Sequence, residues 1–586
     1  MTGRPERCRT VTLPDKSEAM NFSSGARRGA VVFGCHFRRP FQPRRRRTGV
    51  ARSGIMTSAL SPETSKSATP SIGGAPLLTF VLRRELGIAF VVLTALVLVP
   101  VFVVAVPPLA DYVNHLARMH VIAVRGRDPF LDAFYSIDWQ LIPNLAMDLI
   151  VPVLARVMDV YRAGQVFTAL TVLAIVTGPM AVHRALYGRL NPFPLVAFVV
   201  VYNGIFLFGM MNFLLGVGLA MWGLAVWIGM RERAVPLRMA VSAAFCLVLF
   251  VCHLYAVGLY GLAIGSWELW EWSRRRFRFD RRLATELAVL VLPVLPLVPL
   301  LLGSSTWGLV GDYSWNPDSK IDALAMVFRT YDDTHDLTVM GLGFMAVAYG
   351  MHRGLLSVHG AMFPLAAFGF LVFMAMPYTL FGSEMADQRM PVSLLLMLIG
   401  FVHLDPEDKW SKAGFLVLVV GFAVMRVGDV TVHWSKIGRI YEDVRTASVH
   451  LPRGAKILVA HADDPHGTQA EQDAISHAPC LAMIENSALV STAFTVKGKQ
   501  IMSVRPAYHA QVDTVDGEPP RVSQLVATNY VRDEGAPRDH FWDEWTNEDD
   551  YLFILGSERE ADNPDPGVLD LVHDGRGFQI YRINKN

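Results

Sequence analysis

Residues 87–106 read GIAFVVLTALVLVPVFVVAV, twenty positions without a single charge. As a helix rising 1.5 Å per residue, such a run covers about 30 Å, the thickness of a bilayer's hydrocarbon core. The next residues, 107–118, read PPLADYVNHLAR. Two prolines end the apolar helix, and a second helix can begin directly after them. A membrane span followed at once by a polar helix sets the terms for the rest of the chain.

Outward from this point the pattern repeats. Of the 586 residues, 52% are hydrophobic and 18% charged, against roughly 25% charged in ordinary soluble domains. The apolar residues gather into runs at 87–106, 164–186, 193–208, 211–230, 237–252, 255–270, 286–303, 337–351, 360–381, 391–404 and 414–427. These predict a mainly α, polytopic transmembrane domain of about eleven spans over residues 80–430. The stretch 237–270 could be one long tilted helix, but His253 near its middle favours two short ones. No internal repeat is evident, which weakens a transporter built from inverted halves.

Charge orients the set. Sixteen Lys and Arg fall in the short loops that share a side with Arg83 and Arg84, Arg238 among them, and eight in the longer loops opposite. By the positive-inside rule the N-terminus is cytoplasmic, loops 107–162 and 304–336 are the large outer loops, and the C-terminal domain is extracytoplasmic. The expected setting is a bacterial inner (plasma) membrane. Residues 1–79 are expected to be a disordered N-terminus, first basic and then rich in Ser and Thr. Residues 1–55 carry thirteen Lys/Arg against three Asp/Glu. Met56 reads as the true start, with a genuine basic tail at the membrane surface as the alternative.

Residues 431–586 read as a mixed α/β soluble domain, with strand-like runs at 456–460, 489–494, 551–555 and 578–583. From Asp429 onward there are twenty-five acidic and fifteen basic residues, which argues against nucleic acid as a partner. Cys480 is the only cysteine in that domain, so no disulfide forms within it. The chain has no G-x-x-x-x-G-K-[ST], H-E-x-x-H or G-x-S-x-G, the signatures of phosphate-loop, zincin and α/β-hydrolase chemistry.

The residues able to carry chemistry lie mostly at the ends of spans. On a helical wheel Asp111, Asn114, His115 and Arg118 fall within about 100° of one another, opposite Tyr112, Leu116 and Met119. This is either an interfacial helix with a solvated polar face or a site in which Asp111 is a base or metal ligand and Arg118 lies near an anion. Asn203, Asn212 and His253 are polar groups at membrane depth, where interhelical hydrogen bonding competes with function as an explanation. The loop Tyr331-Asp332-Asp333-Thr334-His335-Asp336 offers hard ligands, Asp332, Asp333 and His335, for a divalent cation such as Mg²⁺ or Mn²⁺, or else is simply solvated. Glu384, Asp387 and Arg389 precede the tenth run, where Arg389 could grip a lipid phosphate or only position its loop against headgroups. His461-Ala462-Asp463-Asp464-Pro465-His466 has the composition of a metal cluster, and reads better as a strand-end loop.

The layout resembles the GT-C superfamily of membrane glycosyltransferases: many spans, a long first outer loop with Asp111 just after the first helix, and a soluble domain after the last. The resemblance covers roughly residues 80–586, its motif only residues 107–118. It implies a polyprenyl-phosphate sugar donor reached from the membrane lipid, an acceptor of unspecified identity, Asp111 in the catalytic role and Arg389 at the donor phosphate. Asn114, His115, Arg118 and His253 are the remaining candidates for substrate binding. The chain departs from the family in lacking a paired Asp-Glu at that position and a W-W-D-type signature, which argues against oligosaccharide transfer to protein. A non-catalytic transporter or envelope-assembly scaffold is the alternative reading.

Overall fold

The computed structural model describes residues 75–405, 409–512, 519–531 and 540–585. The expectations for the N-terminal segment, Met56 included, lie outside these residues.

The chain is an integral membrane protein, mainly helical, with a small C-terminal sheet. Among the described residues, six helical segments are long and apolar enough to cross a bilayer: Arg84–Val103, Val160–Tyr187, Met211–Gly229, Val235–Cys252, Arg281–Leu302 and Ser411–Ser448. Met211–Gly229 is the innermost, with 78% of its apolar window buried against 22% to 56% for the others. It lies close along Val160–Tyr187, because a Cβ on Gly218 would come within 2.6 Å of Ala174. Small residues at such a crossing let two helices meet without a side chain between them.

These six do not confirm the expected number of about eleven spans. The apolar run 193–208 is broken into a 3-10 turn at Phe193–Phe198 and a single helical turn at Gly204–Leu207. Pro192 and Pro194 lie at its start, and the Asn203 side chain caps the second piece by accepting from Phe206 N. Its apolar residues, Leu195, Phe198, Tyr202 and Phe206 among them, are buried core. The runs at 360–381 and 391–404 yield only the shorter helices Met362–Ala375 and Arg389–Ile399, and those at 255–270 and 337–351 lie in Leu254–Arg274 and Asp333–His352.

His253 separates two helices. Val235–Cys252 ends at it, its backbone is extended, and its imidazole caps Leu254–Arg274 by accepting from Tyr255 N. Arg238, expected as a free loop charge, is instead buried in a paired contact with Glu286 at 2.6 and 3.2 Å.

The last span does not stop at the expected end of the membrane domain. Lys409–Ser448 is one helix of 40 residues that continues past Thr431. After it comes a five-stranded sheet in the spatial order Leu569–Gly575, Phe578–Ile583, Tyr551–Leu555, Lys456–His461, Leu489–Val490. The first three are antiparallel, and Lys456–His461 lies parallel to both of its neighbours. Ile457, Leu458, Val459 and Ala460 are all buried, the continuous apolar run expected of a strand covered on both faces.

This sheet region is tied to the loop after the first span. Strand Tyr135–Ile137 pairs antiparallel with Met502–Val504. Asp128 accepts from Arg453 and from Ser487, both at 2.6 Å. The carboxylate also caps its own short helix through Phe130 N and Leu131 N.

Candidate functional site

A cavity of about 860 Å³ lies where the helical domain meets the C-terminal domain. Asp111, His115, His253 and Arg389 line it, and Asn114 and Arg118 do not. His461, His477 and Lys499 reach it from the C-terminal domain.

Asp111 stands at the N-cap of helix Tyr112–Val124, where an aspartate normally accepts from the first backbone N–H groups. Here its side chain makes no capping bond. Its backbone N donates to Phe208 O at 3.0 Å. That approach requires Gly209, at φ +85°, because a Cβ there would lie 3.3 Å from Asp111 N. The carboxylate is therefore held by its backbone and turned to the cavity, with Oδ1 3.9 Å from His477 Nε2. Burial among these groups pushes the Asp111 carboxyl up to about 7, against the opposing pull of Arg389 and Arg118.

The protonation of His477 follows from its neighbours. Asn114 Oδ1 accepts from Phe494 N at 2.9 Å, and Nδ2 donates to Thr492 O at 2.8 Å, so the amide can face only one way. The same Nδ2 then donates to His477 Nδ1 at 3.2 Å. A neutral His477 consequently carries its proton on Nε2, the nitrogen facing Asp111. Burial pushes it down to about 4, which keeps it neutral near pH 7. His115 is fixed by the same logic: Arg118 Nη1 donates to its Nδ1 at 3.0 Å. Burial and the Arg118 charge push His115 down as well.

The polar face of this helix is not solvated. Asn114 is 0% and Arg118 1% exposed. Arg118 does lie near an anion, but the anion is the protein's own Asp148, held at 2.8 and 3.2 Å by two guanidinium nitrogens. In this arrangement Arg118 supports His115. Asn114 clasps the helix to residues 492–494.

Arg389 is the contrasting case. It is 6% exposed at the first position of helix Arg389–Ile399. Its Nη2 donates to Glu384 O at 2.8 Å, and its Nη1 faces His253 Nε2 at 3.3 Å. His253 Nδ1 already accepts from Tyr255 N at 3.2 Å. A neutral imidazole has one acceptor nitrogen, so it can serve Tyr255 or Arg389 but not both. Among the described residues Arg389 Nε has no partner and no carboxylate lies within ion-pair distance of the guanidinium. A buried cation without an anion is costly, and this one borders a cavity.

The remaining candidates lie elsewhere. Asp332 caps helix Asp333–His352 by accepting from His335 N at 2.8 Å, and Asp336 binds Arg426 and Thr330. These bonds hold the loop to the long helix, and no group of three or more His, Cys, Asp or Glu is placed to hold a metal ion among the described residues. Of the residues expected as metal ligands here, Asp332 serves as the cap of helix Asp333–His352. Asn212 fastens the first loop, accepting from Met147 N at 2.8 Å and donating to Asn144 Oδ1 at 2.8 Å. Asp387 is buried against Ser319 and Lys320. His461 closes its strand and lines the cavity, whereas Asp463 binds Ser523.

No protein-family model matches the sequence, and no curated protein does. Among solved structures, the chain is similar to that of ArnT from Cupriavidus metallidurans bound to undecaprenyl phosphate, at 12% identity and a TM-score of 0.46, over 84% of this chain and 97% of that one.

Proposed function

We propose that the protein is a membrane glycosyltransferase, taking a sugar from a polyprenyl-phosphate donor and passing it to an acceptor hydroxyl on the extracytoplasmic face. One observation carries this reading: a buried arginine without an anionic partner and a carboxyl raised to about 7 border the same cavity at the end of the spans.

In this mechanism the donor phosphate is the anion that Arg389 lacks. Asp111 takes the proton of the acceptor hydroxyl as that oxygen attacks the anomeric carbon. The bond from that carbon to the phosphate oxygen breaks, and the electron pair leaves on the phosphate, beside Arg389 and Lys499. Charge grows on the leaving oxygen as the bond breaks, so a fixed guanidinium there favours the transition state over the ground state. His477 Nε2–H, 3.9 Å from Asp111, is too distant to bond it directly. The gap suits an acceptor oxygen held by both groups. Phosphate leaves as a stable anion, so no acid partner of the glycosidase kind is needed.

Native mass spectrometry of the protein extracted with its lipids tests the donor, with wild type beside Arg389→Ala and Asp111→Asn. A polyprenyl phosphate or its sugar ester should accompany wild type and Asp111→Asn and be lost from Arg389→Ala. Asp111→Asn should also lose transfer while remaining folded. Ordinary phospholipid alone on a folded wild type would turn the assignment to a transporter or an assembly scaffold.

A further inference from the structure

A second cavity, about 620 Å³, opens within the C-terminal domain. His461, Ser476 and Pro519 line both cavities, so the two share a wall. This volume is in the range of small-molecule sites, roughly 300–1,000 Å³.

Its place in the sheet is informative. Strand Lys456–His461 has parallel partners on both sides, Leu489–Val490 and Tyr551–Leu555. The chain visits one neighbour first and the other later, so the order of strands reverses at Lys456–His461. Sheets of this kind hold ligands in the crevice outside the carboxyl end of the strand where the order reverses. His461 is that carboxyl end.

The lining is polar, with one large aromatic. Gln469, Gln472 and Asp473 come from helix Gln469–Ile475, and Arg521 and Trp542 face in from later segments. Gln469 donates to Asp473 Oδ1 at 2.7 Å, Gln472 to Pro465 O at 3.0 Å, and Arg521 Nη1 to Asp463 O at 2.7 Å. These bonds fix the amides through their N–H groups and use one of the five N–H donors of Arg521. The Trp542 indole is braced by the His540 ring, stacked at 4.4 Å, and by the edge of Phe541 at 4.9 Å. A single arginine among amides and a carboxylate is poorly suited to a phosphate. Neutral donors and acceptors beside a rigid indole suit a ring bearing hydroxyls, apolar on its faces and polar at its rim.

We propose that this second cavity binds a sugar ring of the acceptor, and that the hydroxyl to be glycosylated projects past His461 and Ser476 toward Asp111. The proposal rests on the glycosyl-transfer reading, and assigns the acceptor its place and chemical class.

Saturation-transfer NMR on the full chain in nanodiscs tests it. The probes are methyl α-glucoside, methyl α-galactoside, methyl α-mannoside and methyl β-arabinoside, with glycerol as the acyclic control. At least one glycoside should give a signal that glycerol does not. Its binding should weaken about tenfold in Trp542→Ala, the order of one aromatic contact. Trp542 also packs on the domain core, so Gln469→Ala and Asp473→Asn, both off the core, should weaken the same signal without altering the fold. Arg389→Ala should leave it intact. No signal from any glycoside, or a signal that survives all three second-cavity variants, overturns the proposal. Native mass spectrometry separates acceptor from donor: Trp542→Ala should keep any lipid-linked sugar that wild type keeps, and its loss would move this cavity to the donor. Loss of lipid in wild type itself would instead count against the donor reading.

Discussion

Arg118 and Arg389 are both buried guanidiniums, one a residue removed from the cavity and one on its wall. They differ in what they face. Arg118 is met by two oxygens of Asp148 and by His115, and each of its three nitrogens has a partner within the fold. Among the described residues Arg389 has a backbone carbonyl, a contested imidazole nitrogen, the Phe213 ring at 5.9 Å and an open Nε, but no carboxylate. A cation paired within the fold builds the site, and a cation left unpaired beside a cavity marks where a ligand's charge belongs.

The largest expected effect lies on the paired side. Asp148→Ala would leave Arg118 as an uncompensated buried charge, which costs about 3–5 kcal/mol of stability. Equilibrium denaturation in bicelles should find the variant destabilised by that order, with His115 also losing its anchor. Arg389→Met should behave oppositely. It replaces a cation that no carboxylate among the described residues contacts within ion-pair distance with an apolar chain of similar reach, and should be neutral or slightly stabilising. If Asp148→Ala cost no more than Arg389→Met, pairing would not be what separates the two arginines.

How much of this was legible in the sequence depends on range. Asp111, His115, His253 and Arg389 stand where prolines, turns or helix starts end an apolar run, and such ends meet at one level of a helical domain. Their shared cavity could be anticipated from that alone. What each polar group faces could not. The helical wheel puts Arg118 and Asn114 on the face of Asp111, yet Asp148 and residues 492–494 fill the space in front of them, from 30 and 378 positions away. His477 carries no local signal, because its role comes from Asn114 and Asp111 across the fold. The run 193–208 misleads for another reason: apolar length looks the same in a span and in a broken segment packed as core. The clue was the pair of prolines near its start and the Asn203-Gly204 step.

The subtlest test of the comparison is by pH, because Asp111 feels both arginines. Transfer needs its carboxylate, so the second-order rate constant should rise about tenfold per pH unit until about 7 and then level off. Stability should run the other way. A carboxyl raised from 3.8 to about 7 binds more protons folded than unfolded between those values. Its contribution is whole below the lower value and is lost as pH rises through the upper one. Asp111→Asn should remove this pH-dependent loss along with the activity. Arg389→Met, by taking away the stronger of the two opposing charges, should shift the midpoint of the stability profile further up. A midpoint that moved down, or did not move, would mean that Arg389 does not act on Asp111 across the cavity. His477, pushed down from 6.5 to about 4, contributes in the opposite sense over part of this window, but that contribution is common to wild type and both variants, so the difference between their profiles reports the carboxyl.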